Sequence, residues 1–299
     1  LANRSRLRDT LEYWAALAAL KTLELAPRTD AMRLAALYTR ALDKAIPRLR
    51  RTGMRNLELA MPEKTAAERA RIIDGVFRSI ARLLVSFARF PHIDRSNVSG
   101  WIRYEGYEHV ERARARGRGI LFATAHLGNW ELSAFAYGLL TAPMHVVVRP
   151  LDNGRIDRLV AARRALSGNR VIEKKDFARA MLKALAANEA VGILIDQNAS
   201  LEHGTFVDFF GVPACAGTGF AKIAARSGAA VVPGFALWSE KERRYVLRFD
   251  PPIEMTGDAE ADTRALHAHL EAVIREHPDQ WLWIHRRWKT RPPGEPPLY

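Results

Sequence analysis

The residues best suited to chemistry lie in one stretch, GILFATAHLGNWELS at positions 119–133. An apolar run over 120–125 ends on His126, and Glu131 follows five residues later. An imidazole oriented by a carboxylate can take a proton from a hydroxyl nucleophile, since its ordinary pKa lies close to neutrality. The same spacing also occurs where a buried histidine only satisfies a local hydrogen bond, so the surrounding elements must decide. The run reads as a buried strand: it is short, apolar and preceded by Gly117 and Gly119. Gly128 and Asn129 break it, and Asn129 is placed to cap a helix over 130–140. His126 then stands at the carboxyl end of a strand, with Glu131 in the first turn of the next helix. In open α/β sheets that edge is where ligands bind.

The elements on either side support this placement. From Gly119 onward, strands alternate with helices, the signature of a largely parallel sheet. Strands are expected at 144–149, 170–173 and 190–195, and at 230–237 and 245–249 as a hairpin. Helices are expected at 155–166, 177–187, 218–227 and 260–275. Residues 101–116 read as a helix leading into the central strand. Upstream the chain reads as helical and very basic: a helix over 11–26, another over 32–46 stopped at Pro47, and one beginning at Thr65. Thr65 and Glu68 have the spacing of a capping box. The fold class is therefore α/β, a largely parallel central sheet flanked by helices, with a helical N-terminal region over 1–100. The α/β core spans 101–291, and a proline-rich tail covers 292–299.

On that sheet, four further positions group with His126. Arg149 ends the next strand before Pro150, and Asp196 ends another in ILIDQN. Arg164, in RRALSGN, can reach over a phosphate or an oxyanion. The segment GTFVDFFGVP at 204–213, read as a loop, brings Gly204, Phe206 and Phe210 beside the site. Together these resemble a pocket for an anionic substrate with an apolar component.

Composition narrows the partners. With 299 residues, 48% of them hydrophobic, the chain can build a large core, which excludes general disorder. Its 46 Lys and Arg exceed its 33 Asp and Glu for a net charge of +13, which favours an anionic partner. The single cysteine, Cys215, excludes an internal disulfide and a cysteine-based metal site and reads as a small buried residue. GTGFAK at 217–222 lacks the form of a phosphate-binding P-loop. No Gly-x-Gly-x-x-Gly follows a strand, no Gly-x-Ser-x-Gly elbow appears, and the nine histidines show no metal-ligand spacing. The positive charge is spread along the chain without a nucleic-acid reader motif, so no nucleic-acid partner is expected.

Several pieces in order then carry a resemblance. The box His126-LGNW-Glu131 is accompanied by the Arg-rich segment ending NLELAMPE at 56–63 and by RP at 149–150. DQN at 196–198, F-FFG at 206–211 and QWLWIHRRWK at 280–289 complete the set. From about residue 48 to 291 the chain resembles the bacterial lipid A late acyltransferases, of lauroyl/myristoyl acyltransferase type. These belong to the glycerolipid acyltransferase superfamily, whose hallmark is a His-x4-Asp/Glu box. The resemblance implies O-acyl transfer from an acyl thioester, carried by acyl carrier protein or CoA, to a hydroxyl of a lipid A precursor. A lysophospholipid, an ornithine lipid or a mannosylated glycolipid is the alternative acceptor. It implies His126 as general base with Glu131 orienting it, and Arg164 or backbone N–H groups as oxyanion donors. Arg149 is then free for acceptor phosphate, and Asp196 for a hydrogen bond that fixes the site. No metal or cofactor is required.

The resemblance also implies the cytoplasmic face of the bacterial inner membrane. Members of the family commonly carry an N-terminal anchor, whereas here only the stretch 11–26 corresponds, too short and too charged to span a bilayer. It reads either as an interfacial amphipathic helix presenting Tyr13 and Trp14 to anionic lipid or as an ordinary core-packing helix. Attachment is accordingly expected to be peripheral, or through a segment upstream of residue 1. Trp281, Trp283 and Trp288 offer a similar pair of readings: interfacial, or packed at the end of the sheet with the arginines outside.

Overall fold

The computed structural model describes residues 5–173 and 177–299. Four helices come first: α1 (Arg6–Leu25), α2 (Arg28–Ala45), α3 (Pro47–Ala60) and α4 (Ala66–Ala88). The expected stop at Pro47 is real, but Pro47 also opens α3. A first-turn proline loses nothing there, since its missing N–H would have no intrahelical partner. The capping box is present, with the Thr65 hydroxyl accepting from Glu68 N and the Glu68 carboxylate accepting from Thr65 N at 2.7 Å. Helix α4 buries Ile73, Val76, Phe77, Ala81, Val85 and Phe87, and α1, α2 and α3 all pack against it.

The segment 101–116 is not one helix. It forms strand β1 (Ile102–Glu105), a left-handed turn at Gly106 and helix α5 (Tyr107–Ala115). A Cβ on Gly106 would sit 2.2 Å from the Phe249 carbonyl oxygen, so only glycine allows the strand to turn there. There follow β2 (Ile120–Thr124), α6 (Trp130–Leu140), β3 (Met144–Val148), α7 (Gly154–Ala165) and β4 (Arg170–Glu173). After them come α8 (Phe177–Ala186), β5 (Ala190–Leu194), β6 (Gly204–Phe209) and β7 (Val212–Gly217). The last elements are α9 (Gly219–Ser227), β8 (Ala230–Ser239), β9 (Arg244–Phe249) and α10 (Ala259–Glu276).

Seven strands form one sheet in the order β1-β9-β8-β2-β5-β3-β4. Every neighbouring pair is parallel except β8–β9, the expected hairpin. Strand β2 lies at the centre, and its residues Ile120, Leu121, Phe122 and Ala123 are all buried. That explains its uninterrupted apolar run, which a strand covered on both faces requires.

The segment 204–213 is not a loop: β6 and β7 form an antiparallel hairpin of their own. Its two-residue turn, Phe210–Gly211, has positive φ at both positions (59° and 74°), the twist that suits a tight hairpin. Phe209 and Phe210 pack into the cluster formed by Trp281, Trp283 and Trp288, all of them buried. The tryptophans thus pack the end of the sheet, as the second reading expected. The arginines are not all outside, because Arg287 is fully buried. It donates to the Cys215 carbonyl at 2.7 Å and lies over the Phe209 ring, so aromatic faces offset part of its desolvation.

Candidate active site

His126 follows β2 and Asp196 follows the adjacent strand β5, and Ile195 N extends the pairing by donating to the Thr124 carbonyl at 3.0 Å. Side by side on one sheet edge, the two residues meet. His126 Nδ1 lies 2.9 Å from Asp196 Oδ1, and the His126 backbone N–H donates to Asp196 Oδ2 at 3.0 Å. The Trp281 indole N–H donates to the same Oδ2 at 2.8 Å. Asp196 is buried, and an ionised carboxylate only accepts, so Nδ1 carries the proton and Nε2 presents its lone pair outward. Burial raises the Asp196 pKa, but the His126 charge and the three hydrogen bonds outweigh that and hold it at about 2. Burial likewise pulls the imidazole down, yet Asp196 and, more weakly, Glu131 bring its pKa above the ordinary histidine value.

The turn after β2 is pinned from two sides. Leu282 N donates to the His126 carbonyl at 2.9 Å, and Gly128 N donates to the Gln280 carbonyl at 2.9 Å. Gly128 has φ 64°, and a Cβ there would lie 1.9 Å from the Ala236 carbonyl oxygen on β8. Asn129 caps α6 as expected, its Oδ1 accepting from Leu132 N at 3.0 Å. Its Nδ2 donates to Ser86 Oγ on α4 at 2.7 Å, so the helical region holds this corner from below.

Glu131 is not the carboxylate on the imidazole. Both of its oxygens are taken by Arg164, Nε to Oε2 at 2.9 Å and Nη2 to Oε1 at 2.6 Å, a bidentate pair. The physical reason is direction: Glu131 emerges from α6, whereas Asp196 comes off the strand beside His126. Glu131 and Arg164 sit instead at a mostly apolar cavity, part of it open to solvent. The cavity runs beneath α6 across the sheet, from Val146 on β3 past Phe122 on β2 to Leu247 and Phe249 on β9. Gly192 and Gly234 on the strands flanking β2 also line it. Trp130, another wall residue, meets the His126 ring edge-on at 5.0 Å.

The remaining expected residues are elsewhere. Arg149 is exposed after β3, Gly204 and Phe206 lie on β6, and Phe210 packs on Trp283; none of the four lines the cavity. Two residues of the site escaped the sequence. Trp281 was visible only as part of an aromatic cluster. Gln197, beside Asp196 in the DQN triplet, places its amide nitrogen 3.5 Å from His126 Nε2.

The fold and site define a class: an α/β protein with a hydrogen-bonded histidine–aspartate pair at the carboxyl edge of its sheet, next to an apolar slot. The chain belongs to the bacterial lipid A biosynthesis acyltransferase family, whose sequence model matches residues 2–290, and it is an acyltransferase. It is 33% identical over 248 residues to a lipid A biosynthesis lauroyltransferase of Escherichia coli K12, covering 82% of this chain and 80% of the relative. It is 32% identical over 292 residues to a lipid A biosynthesis palmitoleoyltransferase of the same organism, covering 96% and 95%. A lipid A biosynthesis myristoyltransferase, also from that strain, is 24% identical over 284 residues, covering 94% and 88%.

Proposed function

We propose that this protein moves a fatty acyl chain from an acyl thioester to a hydroxyl of a lipid A precursor. The observation that carries this reading is the Asp196-held imidazole of His126 beside the cross-sheet apolar cavity. An acyl chain lying under α6 brings its thioester carbonyl to the mouth formed by Trp130, Glu131 and Arg164. His126 Nε2 takes the proton of the acceptor hydroxyl as its oxygen attacks that carbonyl. The imidazolium is stabilised by Asp196 and by the nearby charge of Glu131. Arg164 offers its remaining N–H groups to the tetrahedral oxyanion, which then collapses. The thiolate leaves with the proton held by His126, and the ester remains on the acceptor.

The donor is acyl carrier protein, an acidic partner suited to the +13 surplus, with acyl-CoA as the alternative. Arg149, exposed just past the end of β3 on the same carboxyl edge of the sheet, is available to the acceptor's phosphate. No helix among the described residues is long and apolar enough to cross a membrane. Helix α1 exposes Leu7, Leu11 and Trp14, which suits peripheral contact with anionic lipid on the cytoplasmic face of the inner membrane.

The test is mass-spectrometric acyl transfer with both donors and a panel of acceptors that includes a tetra-acylated lipid A precursor and lysophospholipids. A mass gain of one acyl chain on the lipid A precursor, absent in His126→Ala, is expected. Transfer only to a lysophospholipid would replace the acceptor, and near-wild-type turnover in His126→Ala would overturn the mechanism. Gly234→Val should shift the preferred donor to a shorter chain, because a Cβ there already lies 3.3 Å from Phe249.

A further inference from the structure

Helix α7 is held against α1 at both ends. At its start, the buried Asn153 caps the helix through Oδ1, while its Nδ2 donates to the Asp9 carbonyl at 2.9 Å and to Glu12 Oε2 at 3.2 Å. At its end, Arg163 is buried and donates through Nη2 to Glu24 Oε2 at 2.7 Å. Its Nη1 reaches the carbonyls of Phe87, at 3.2 Å, and Ala88, which close α4. Glu24 is buried as well, with its other oxygen 3.0 Å from Lys21 Nζ and 3.4 Å from His92 Nε2. Burial alone would raise the Glu24 pKa, but Arg163 and Lys21 hold it below the ordinary value, so the pair is ionised. The residue after Arg163 is Arg164, which forks onto Glu131.

A buried ion pair fixed by carbonyls at one face leaves little freedom to the adjacent residue on the same turn. Removing one partner strands the other charge in the interior, a strongly destabilising change that the element carrying it can relieve only by moving. We propose that Glu24 and Arg163 are positioning residues: their buried bond to α1 and α4 sets the reach of Arg164 and so keeps the Arg164–Glu131 pair in place beside His126. Through it the N-terminal helix, with its exposed Leu7, Leu11 and Trp14, is mechanically part of the active site. This inference rests on the acyl-transfer reading only for what the site does; the coupling itself is a property of the chain.

A readout follows from the charges that face His126. Asp196 and Glu131 favour the imidazolium, whereas Arg164 disfavours it. His285 lies close enough to be pushed down by His126 and is the further titrating neighbour. Drawing Arg164 away should therefore raise the His126 pKa.

The experiment is a double-mutant cycle on the full chain with Glu24→Gln, Arg164→Gln and their combination. Donor and acceptor KM, kcat, thermal stability and the His126 imidazole pKa are measured, the last by NMR with His126→Ala identifying the signal. Glu24→Gln is expected to lower kcat by about 10- to 100-fold, the scale of a small misplacement, with little change in KM. It should raise the imidazole pKa in the direction that Arg164→Gln does, and should add little in the Arg164→Gln background. Equal losses in both backgrounds, or lost thermal stability with kcat and pKa unchanged, would overturn the proposal. Arg163→Lys, which keeps the charge but not the fork, gives the same comparison if Glu24→Gln does not fold. Should no acceptor gain an acyl chain with the unaltered protein, the functional reading fails, while the imidazole pKa still decides the coupling.

Discussion

At the scale of single residues, the site is a matter of which carboxylate faces the imidazole. The chain supplies two candidates for His126, and the sheet edge delivers Asp196 to it while the helix delivers Glu131 to Arg164. Asp196→Asn keeps the shape and removes the charge that orients and supports the imidazolium. It should lower kcat by on the order of 10²–10⁴-fold, the span of positioned acid–base catalysis. The sign of its pH effect is fixed as well. In the unaltered protein the imidazole pKa is raised, so kcat/KM should fall as pH drops through a value above 6.5, where the base becomes protonated. Without Asp196 the effect of burial dominates, and that acid limb should move to lower pH. A pH–rate profile of both proteins checks this, and an unmoved limb would assign the titration to another group. His126 and Asp196 were both legible because each ends an apolar strand. Their partnership was not, since it depends on β2 and β5 being neighbours, which no local pattern encodes.

At the scale of elements, the corner between β2 and α6 is the most constrained part of the site. Gly128→Ala would drive a Cβ into the Ala236 carbonyl at a positive φ, and should cost several times the ~1 kcal/mol usual for a glycine replacement of the wrong sign. A thermal melt should show a large fall in Tm, while Gly117→Ala, with positive φ but nothing near its Cβ, should show a smaller one. The elements themselves were largely readable, because strand and helix periods alternate so clearly after Gly119. The failures have local causes. Residues 102–105 are too short a run to separate from the helix that follows, and they become a strand only by pairing with β9, more than a hundred residues later. Helix α3 was masked by its arginines and by a largely non-apolar buried face, in which Thr52, Gly53, Asn56, Leu57 and Ala60 recur at helical spacing. The β6–β7 hairpin hid behind a Phe-Gly turn that lacks the usual Asn or Asp.

For the whole molecule, charge and titration act through the buried groups more than through the basic surface. His267 is fully buried between the Thr263 and Ile195 carbonyls, and burial, with Arg287 nearby, lowers its pKa to about 4. The unfolded chain binds that proton from about 6.5 downward, so His267 contributes stability that is complete above 6.5 and is lost as pH falls toward 4. In His267→Gln the dependence of Tm on pH across that window should be shallower; an unchanged slope would place the acid sensitivity elsewhere. On membranes, Leu7→Ser, Leu11→Ser and Trp14→Ser together should reduce sedimentation with anionic vesicles more than activity on detergent-dispersed lipid. Equal losses would mean that α1 serves the fold alone.

The indole of Trp281 on Asp196 has a consequence for the order in which the protein becomes able to act. His126, Glu131, Arg164 and Asp196 all leave the ribosome before the segment that carries Trp281, and that segment also holds the backbone at the His126 carbonyl and at Gly128 N. A chain still being synthesised can pair its central strands but lacks the Trp281 bond that completes the hold on Asp196, so it should be silent until that segment arrives. During refolding, the return of turnover should therefore keep step with burial of the C-terminal tryptophans seen by fluorescence, and should trail the recovery of helical signal. Closure of that segment over Asp196 and the start of catalysis should then become one event.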